Sequence, residues 1–140
     1  MPLLTNPSQI IGPAFVRDDF GRAHIVGLSG GKDSTAMALR LAEVESRPYT
    51  YICTPTGDEL PEMVAHLTAL DQILPSNIIH LHSAHTLNSL IHDWQMIPNS
   101  RARWCTRKLK IEPFNKVLKA LLEDGPVTCY VGIRADECSR

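Results

Sequence analysis

No stretch of this chain offers the roughly 20 consecutive apolar residues of a membrane-spanning helix. Met1 to Asn6 also lacks the charged start and apolar core of a secretory signal peptide. The chain therefore reads as cytoplasmic, with no membrane partner. Charge of one sign is missing too: 14 Lys and Arg stand against 15 Asp and Glu, a net charge of -1. That balance supplies no bulk attraction to nucleic acid or anionic lipid, so a bound phosphate must be held by a local arrangement of donors and cations. The four cysteines, Cys53, Cys105, Cys129 and Cys138, include no CxxC pair, and this spacing suggests neither a disulfide framework nor a zinc ribbon. Cys53 and Cys129 lie in apolar stretches and read as small buried hydrophobes. His80, His82, His85 and His92 have no helical pair or carboxylate at diagnostic spacing, so they read as strand-end polar residues rather than metal ligands.

What is present is ordinary for one globular core: 140 residues, 44% hydrophobic and 21% charged. Residues 1–20 carry three prolines and little periodicity, which predicts an irregular N-terminal arm before a domain spanning 21–140. His24 to Leu28 is β-prone and ends in Ser29-Gly30-Gly31, after which Asp33 to Ser46 has helical spacing. The unit then repeats, with a strand over Tyr49 to Thr54 and a helix over Leu60 to Leu74, Pro61 standing in its first turn. A strand over Asn77 to His82, helices over Thr86 to Trp94 and Ile111 to Glu123, and a strand over Val127 to Ile133 complete the pattern. Alternation of this kind predicts an α/β fold, a mainly parallel twisted sheet with helices on both faces. Ligands of such sheets bind at the carboxyl ends of the strands.

Ser29-Gly30-Gly31-Lys32-Asp33-Ser34 stands where a strand feeds a helix. Its backbone N–H groups can converge on an anion, and the helix dipole adds to the attraction. The glycines remove Cβ atoms that would hold a phosphate away, Lys32 supplies a cation, and Ser29 and Ser34 supply hydroxyl donors. Asp33 is a candidate helix cap and a candidate magnesium ligand. The hexapeptide is not the GxxxxGK[ST] loop of common NTPases, because no earlier glycine has the required spacing.

The hexapeptide resembles the SGGxDS hallmark of the PP-loop adenine-nucleotide superfamily, and three further segments are similar to its phosphoadenosine phosphosulfate (PAPS) reductase group. Pro55-Thr56-Gly57-Asp58-Glu59-Leu60-Pro61-Glu62 resembles the group's DTGxxxPE segment, with Pro55 in place of aspartate. Arg103 to Pro113 resembles its R-x-C…K-x-x-P stretch, and Gly132 to Cys138 its GxRxxES segment, with Cys138 in the serine position. The resemblance implies a Rossmann-like, adenine nucleotide alpha hydrolase-like fold. It places Ser29, Gly30, Gly31, Lys32, Asp33 and Ser34 on the nucleotide's phosphates and Cys53, Thr54, Thr56 and Gly57 near its base or ribose. Asp58, Glu59 and Glu62 are then candidates for a ribose hydroxyl or magnesium, or simply favourable charges at a helix start. Arg103 and Lys110, within a cationic stretch, are the candidates for the sulfate or phosphate oxygens. Gly132 and Arg134 follow the last strand, and Arg134 can bridge to a phosphate above the glycines, with Glu137 orienting it. Trp104 reads equally as core or as a base-stacking platform.

The implied activity is that of an enzyme on a sulfonucleotide or related activated adenine nucleotide, with Lys32, Arg103, Lys110 and Arg134 as its working cations. Its cofactor is an adenine nucleotide, ATP or PAPS-like, with magnesium as a candidate companion. A thioredoxin-like reductant, another protein or a second copy of the chain are the partners this reading allows. The iron–sulfur branch of the group uses a Cys-Cys pair and a later CxxC, whereas Cys105 precedes Thr106, so no cluster is expected. Reductases of the group use a cysteine beyond GxRxxES; Cys138 holds the serine position and reads as a substituted serine. Two alternatives stand beside the reductase-like reading: a PP-loop ATP pyrophosphatase that adenylates a substrate, and a shortened nucleotide-binding module without turnover.

Overall fold

The computed structural model describes residues 15–134. Four strands, β1 (Ala23–Leu28), β2 (Tyr49–Cys53), β3 (Ile78–His80) and β4 (Val127–Tyr130), form one sheet in the order β3-β2-β1-β4. Every pairing is parallel, with Val26 opposite Tyr51 and Tyr130, and Cys53 opposite His80. The helices are α1 (Lys32–Val44), α2 (Pro61–Ile73), α3 (Leu87–Trp94), the short α4 (Trp104–Thr106) and α5 (Glu112–Glu123). A π-helical turn, Arg107–Ile111, joins α4 to α5. The chain is thus a Rossmann-like α/β unit, and the order of its strands reverses between β1 and β4.

Central strands of a parallel sheet are covered on both faces and read as continuous apolar runs. β2 is buried along its whole length and β1 at all but Gly27. Val26, Leu28, Tyr51 and Cys53 point to one face, where Ala38 of α1 and Leu67 and Leu70 of α2 cover them. Ala23, Ile25 and Ile52 point to the other, against Val117 and Leu121 of α5. A third cluster, Leu90, Trp104 and Leu109, ties α3 to α4 and the π turn. Trp104 is therefore a core residue, its ring centroid 4.9 Å from that of Trp94. No helix among the described residues is long and apolar enough to cross a membrane.

Three expectations are corrected. The final strand stops at Tyr130, and Val131 and Ile133 are exposed in the segment that follows. Cys129 is exposed: its register with Ile25 places it on the face that α5 packs against, but in the strand at the edge of the described sheet. The helix expected to start at Ile111 is preceded by further helical turns, from Trp104 onward. Pro113 explains the interruption in that helix: an interior proline removes one i→i−4 bond and crowds the preceding turn. The wider turn relieves this, with the Glu112 N–H donating to the Arg107 carbonyl five residues back.

Candidate functional site

The glycine loop leaves the carboxyl end of β1 and opens α1, beside the reversal in strand order where ligands of open α/β sheets bind. Gly30 has φ of +77°, a left-handed conformation that costs a residue with a Cβ about 1–2 kcal/mol. A Cβ there would also stand 2.1 Å from Met63 Sδ. Ser29 and Ser34 lock the loop: their hydroxyls lie 3.1 Å apart, the Ser29 N–H donates to Ser34 Oγ at 3.2 Å, and Ser34 Oγ donates to the Gly31 carbonyl at 3.1 Å.

Asp33 does not cap α1. The cap position belongs to Gly31, in an extended conformation, which has no side chain to accept from the first helical N–H groups, while its own N–H donates to Ser29 Oγ at 3.3 Å. The N–H groups of the first helical residues have no acceptor within a helix, so α1 presents donors and the positive end of its dipole at the loop. Asp33 Oδ2 lies 3.5 Å from Arg134 Nε instead. Gly132 is pressed onto this same turn, where an added Cβ would meet the Asp33 carbonyl and the Ser34 nitrogen at 3.0 Å. The end of β4 is thereby held against the loop. Lys32 is exposed at the lip.

Beneath the lip a cleft of about 240 Å³ is lined by Gly27, Leu28, Ser29 and Ser34 on one side and Cys53 and Thr54 on another. Met63 of α2, Phe114 of α5, Lys110 and Gly132 close it. Of the residues expected near a base, Cys53 and Thr54 therefore line the cleft, while Thr56 and Gly57 do not. Those two are held by Glu59, whose carboxylate accepts from the Thr56 N–H at 2.6 Å, the Thr56 hydroxyl at 2.7 Å and the Gly57 N–H at 3.1 Å. Burial pushes the Glu59 carboxyl up, but these hydrogen bonds outweigh it and hold it below the usual carboxylate range. Asp58 is likewise engaged, accepting from the Asn88 N–H and side-chain amide at the start of α3. Glu62 sits in the first turn of α2. The acidic residues after β2 thus build the loop, and among the described residues no group of three His, Cys, Asp or Glu could hold a metal.

The cationic stretch divides. Lys110 lines the cleft, Lys108 turns away to pair with Glu112 at 2.9 Å, and Arg103 lies exposed just before α4, outside the cleft lining. Cys53 is buried, and its thiol is pushed up to about 11 by burial and by Glu59, against the pull of Lys110. A thiol so protonated at neutral pH is no nucleophile. Glu137 and Cys138 lie outside the described residues. The sequence reading did not single out Met63 and Phe114, since both sit in helical apolar patterns that read as core.

The model of the phosphoadenosine phosphosulfate reductase domain family matches residues 23–140. The chain is also similar, 27% identical over 113 residues, to an uncharacterized protein of Methanocaldococcus jannaschii. That stretch covers 81% of this chain, which spans 23% of the length of that relative.

Proposed function

This chain belongs to the phosphoadenosine phosphosulfate reductase domain family, and we propose that it binds an adenine nucleotide with the phosphates on Ser29 to Ser34 and acts on a sulfonucleotide or related activated adenine nucleotide. One observation carries this reading: α1 begins without a side-chain cap directly behind a left-handed glycine, with the end of β4 packed against the same turn. Uncapped N–H groups, a helix dipole and close backbone approach are what an oligoanion requires. Lys32 at the lip and Arg134 beside Asp33 add charge where phosphate or sulfate oxygens would lie. Lys110 reaches the same cleft from the far wall, and Arg103 contributes only if the segment before α4 moves toward the ligand.

The base occupies the cleft between Met63 and Phe114, above Cys53 and Thr54. Magnesium, when bound, would neutralise charge on the phosphates. Asp33 offers it a single carboxylate, so the ion would arrive on the nucleotide rather than in a protein cage. Sulfonyl transfer to a thioredoxin-like reductant would need a thiolate, and burial withholds that role from Cys53.

The test is calorimetric titration of wild type and Lys32→Ala with ATP and with the phosphosulfate nucleotide. Loss of one charged hydrogen bond, about 1.5–3 kcal/mol, predicts a roughly ten- to hundredfold weaker complex with an unchanged circular dichroism spectrum. Equal affinities in the two proteins would remove Lys32 from the site. Sulfite release with thioredoxin and pyrophosphate release with ATP and magnesium then separate the reductase-like reading from the pyrophosphatase one.

A further inference from the structure

A second pocket, of about 370 Å³, opens beyond the carboxyl end of β3, between α3 and α5. It shares no lining residue with the nucleotide cleft. The π turn separates the two, sending Lys110 to one and Lys108 to the other. Turns of this kind are rare and are found frequently at functional sites.

The lining combines an apolar body with charges of both signs. Leu81, Leu90 and Val117 are buried and form its floor, and the half-exposed ring of Trp94 flanks it. Lys108 and Glu112 neutralise each other across 2.9 Å. That leaves Asp93 on α3 and Lys116 on α5, opposite formal charges carried by facing helices. Among the described residues Asp93 pairs with the exposed ring of His92 alone, at 3.5 Å. His82, His85 and Ser83 add further hydrogen-bonding groups. Summed over its Lys, Asp and Glu side chains the lining has no formal net charge, which disfavours a dianionic phosphate. The apolar floor and the indole likewise disfavour a small inorganic ion.

We propose that this pocket binds a small zwitterion with an apolar body, of the chemical class of an apolar α-amino acid. Asp93 takes the ammonium, Lys116 the carboxylate, and Trp94 with the floor takes the side chain. The site is separate from the nucleotide cleft, so it stands or falls without the nucleotide reading.

Tryptophan emission of the full chain, titrated with L-phenylalanine, tests it without any nucleotide. The expected result is a saturable change that disappears in Trp94→Phe, since Trp94 lines the pocket and Trp104 does not. Phenethylamine, which lacks the carboxylate, and 3-phenylpropionate, which lacks the ammonium, should each bind at least tenfold more weakly. Asp93→Asn and Lys116→Gln, both at exposed positions, should weaken L-phenylalanine to a similar degree while leaving the thermal midpoint unchanged. No saturable change up to about 10 mM, weaker than a millimolar complex, would overturn the site. Equal binding of the three compounds, or unchanged affinity in either charge variant, would overturn its assignment to a zwitterion.

Discussion

Gly30 offers the sharpest probe of the loop, because two separate effects meet at its missing Cβ. In Gly30→Ala the left-handed backbone, φ of +77°, costs about 1–2 kcal/mol. The new methyl also lies 2.1 Å from Met63 Sδ, so the thioether must swing away. Met63 Sδ is near the end of a flexible side chain, so that movement is cheap, about 0.5–1 kcal/mol. Together these predict about 1.5–3 kcal/mol, or roughly 4.5–9 °C in melting temperature at about 3 °C per kcal/mol for a domain of this size. Met63→Ala removes the collision and leaves the backbone strain untouched. The double variant should therefore be more stable than the sum of the single losses implies, by about 0.5–1 kcal/mol of coupling. Urea unfolding of the four proteins supplies every leg of the cycle. Strictly additive losses would show that Gly30 and Met63 do not meet, and a cost-free Gly30→Ala would refute the left-handed loop itself.

Arg134→Ala should weaken the phosphosulfate nucleotide more than adenosine monophosphate by calorimetry, and equal losses would mean that Arg134 acts structurally. Glu59→Gln should lower stability at pH 7 by about 1.5–3 kcal/mol, since a charged acceptor is lost from the loop after β2. The folded-state pKa of Glu59 is depressed, so its contribution is present above the unfolded carboxylate range, near pH 4.3, and is lost as pH falls through the lower folded value. The stability gap between Glu59→Gln and wild type should close on acidification; a gap that persists below that range would contradict the assigned hydrogen bonds. Iodoacetamide in the native state should label Cys129 well before Cys53, read by peptide mass mapping, because Cys53 is buried with its thiol pushed up to about 11. Cys138→Ser should retain nucleotide binding and leave any sulfite release within a few fold of wild type; abolished release with unaltered binding would make Cys138 the nucleophile.

The alternation of strands and helices was legible because each element has its own period, and the glycine loop because its residues are contiguous. Element ends were less so. Asp33 is a common capping residue, yet the helix starts one residue earlier and leaves Gly31 at the cap, a choice made by the Ser29–Ser34 lock rather than by propensity. Cys129 sits in an apolar run, and whether such a run is covered depends on its place in the sheet, which is a tertiary fact. The acidic residues after β2 could equally have faced a ligand. Only their coordinates show Glu59 bound to Thr56 and Asp58 to Asn88. Likewise, the period that identified the helix starting near Ile111 could not show that Pro113 had widened the turn before it.

The cleft depends on a strand that has little burial of its own. β4 spans four residues, pairs among the described residues with β1 alone and is nowhere fully buried, yet Gly132 and Arg134 follow it directly into the site. What fixes it comes from the residues just before β1 and from its start. Arg17 donates to the Leu121 carbonyl at 2.7 Å and the Pro126 carbonyl at 3.2 Å, holding the turn that enters β4. Arg22 donates to Thr128 Oγ1 at 3.1 Å. His24, buried in β1, spans the rest: Nε2 meets Asp18 Oδ2 at 2.9 Å and Nδ1 meets the Tyr130 hydroxyl at 2.9 Å. A carboxylate only accepts, so Nε2 donates to Asp18, while Nδ1 shares a hydrogen bond with the Tyr130 hydroxyl. The hydrogen bond from His24, with those from the backbone of Arg22 and Phe20, holds the Asp18 carboxyl below its usual range. Tyr130 is two residues from Gly132, whose backbone approach to Asp33 and Ser34 allows no Cβ without a shift. The register of β4 on β1, and with it the position of Arg134, is therefore set by polar contacts at the far end of the sheet from the phosphate loop.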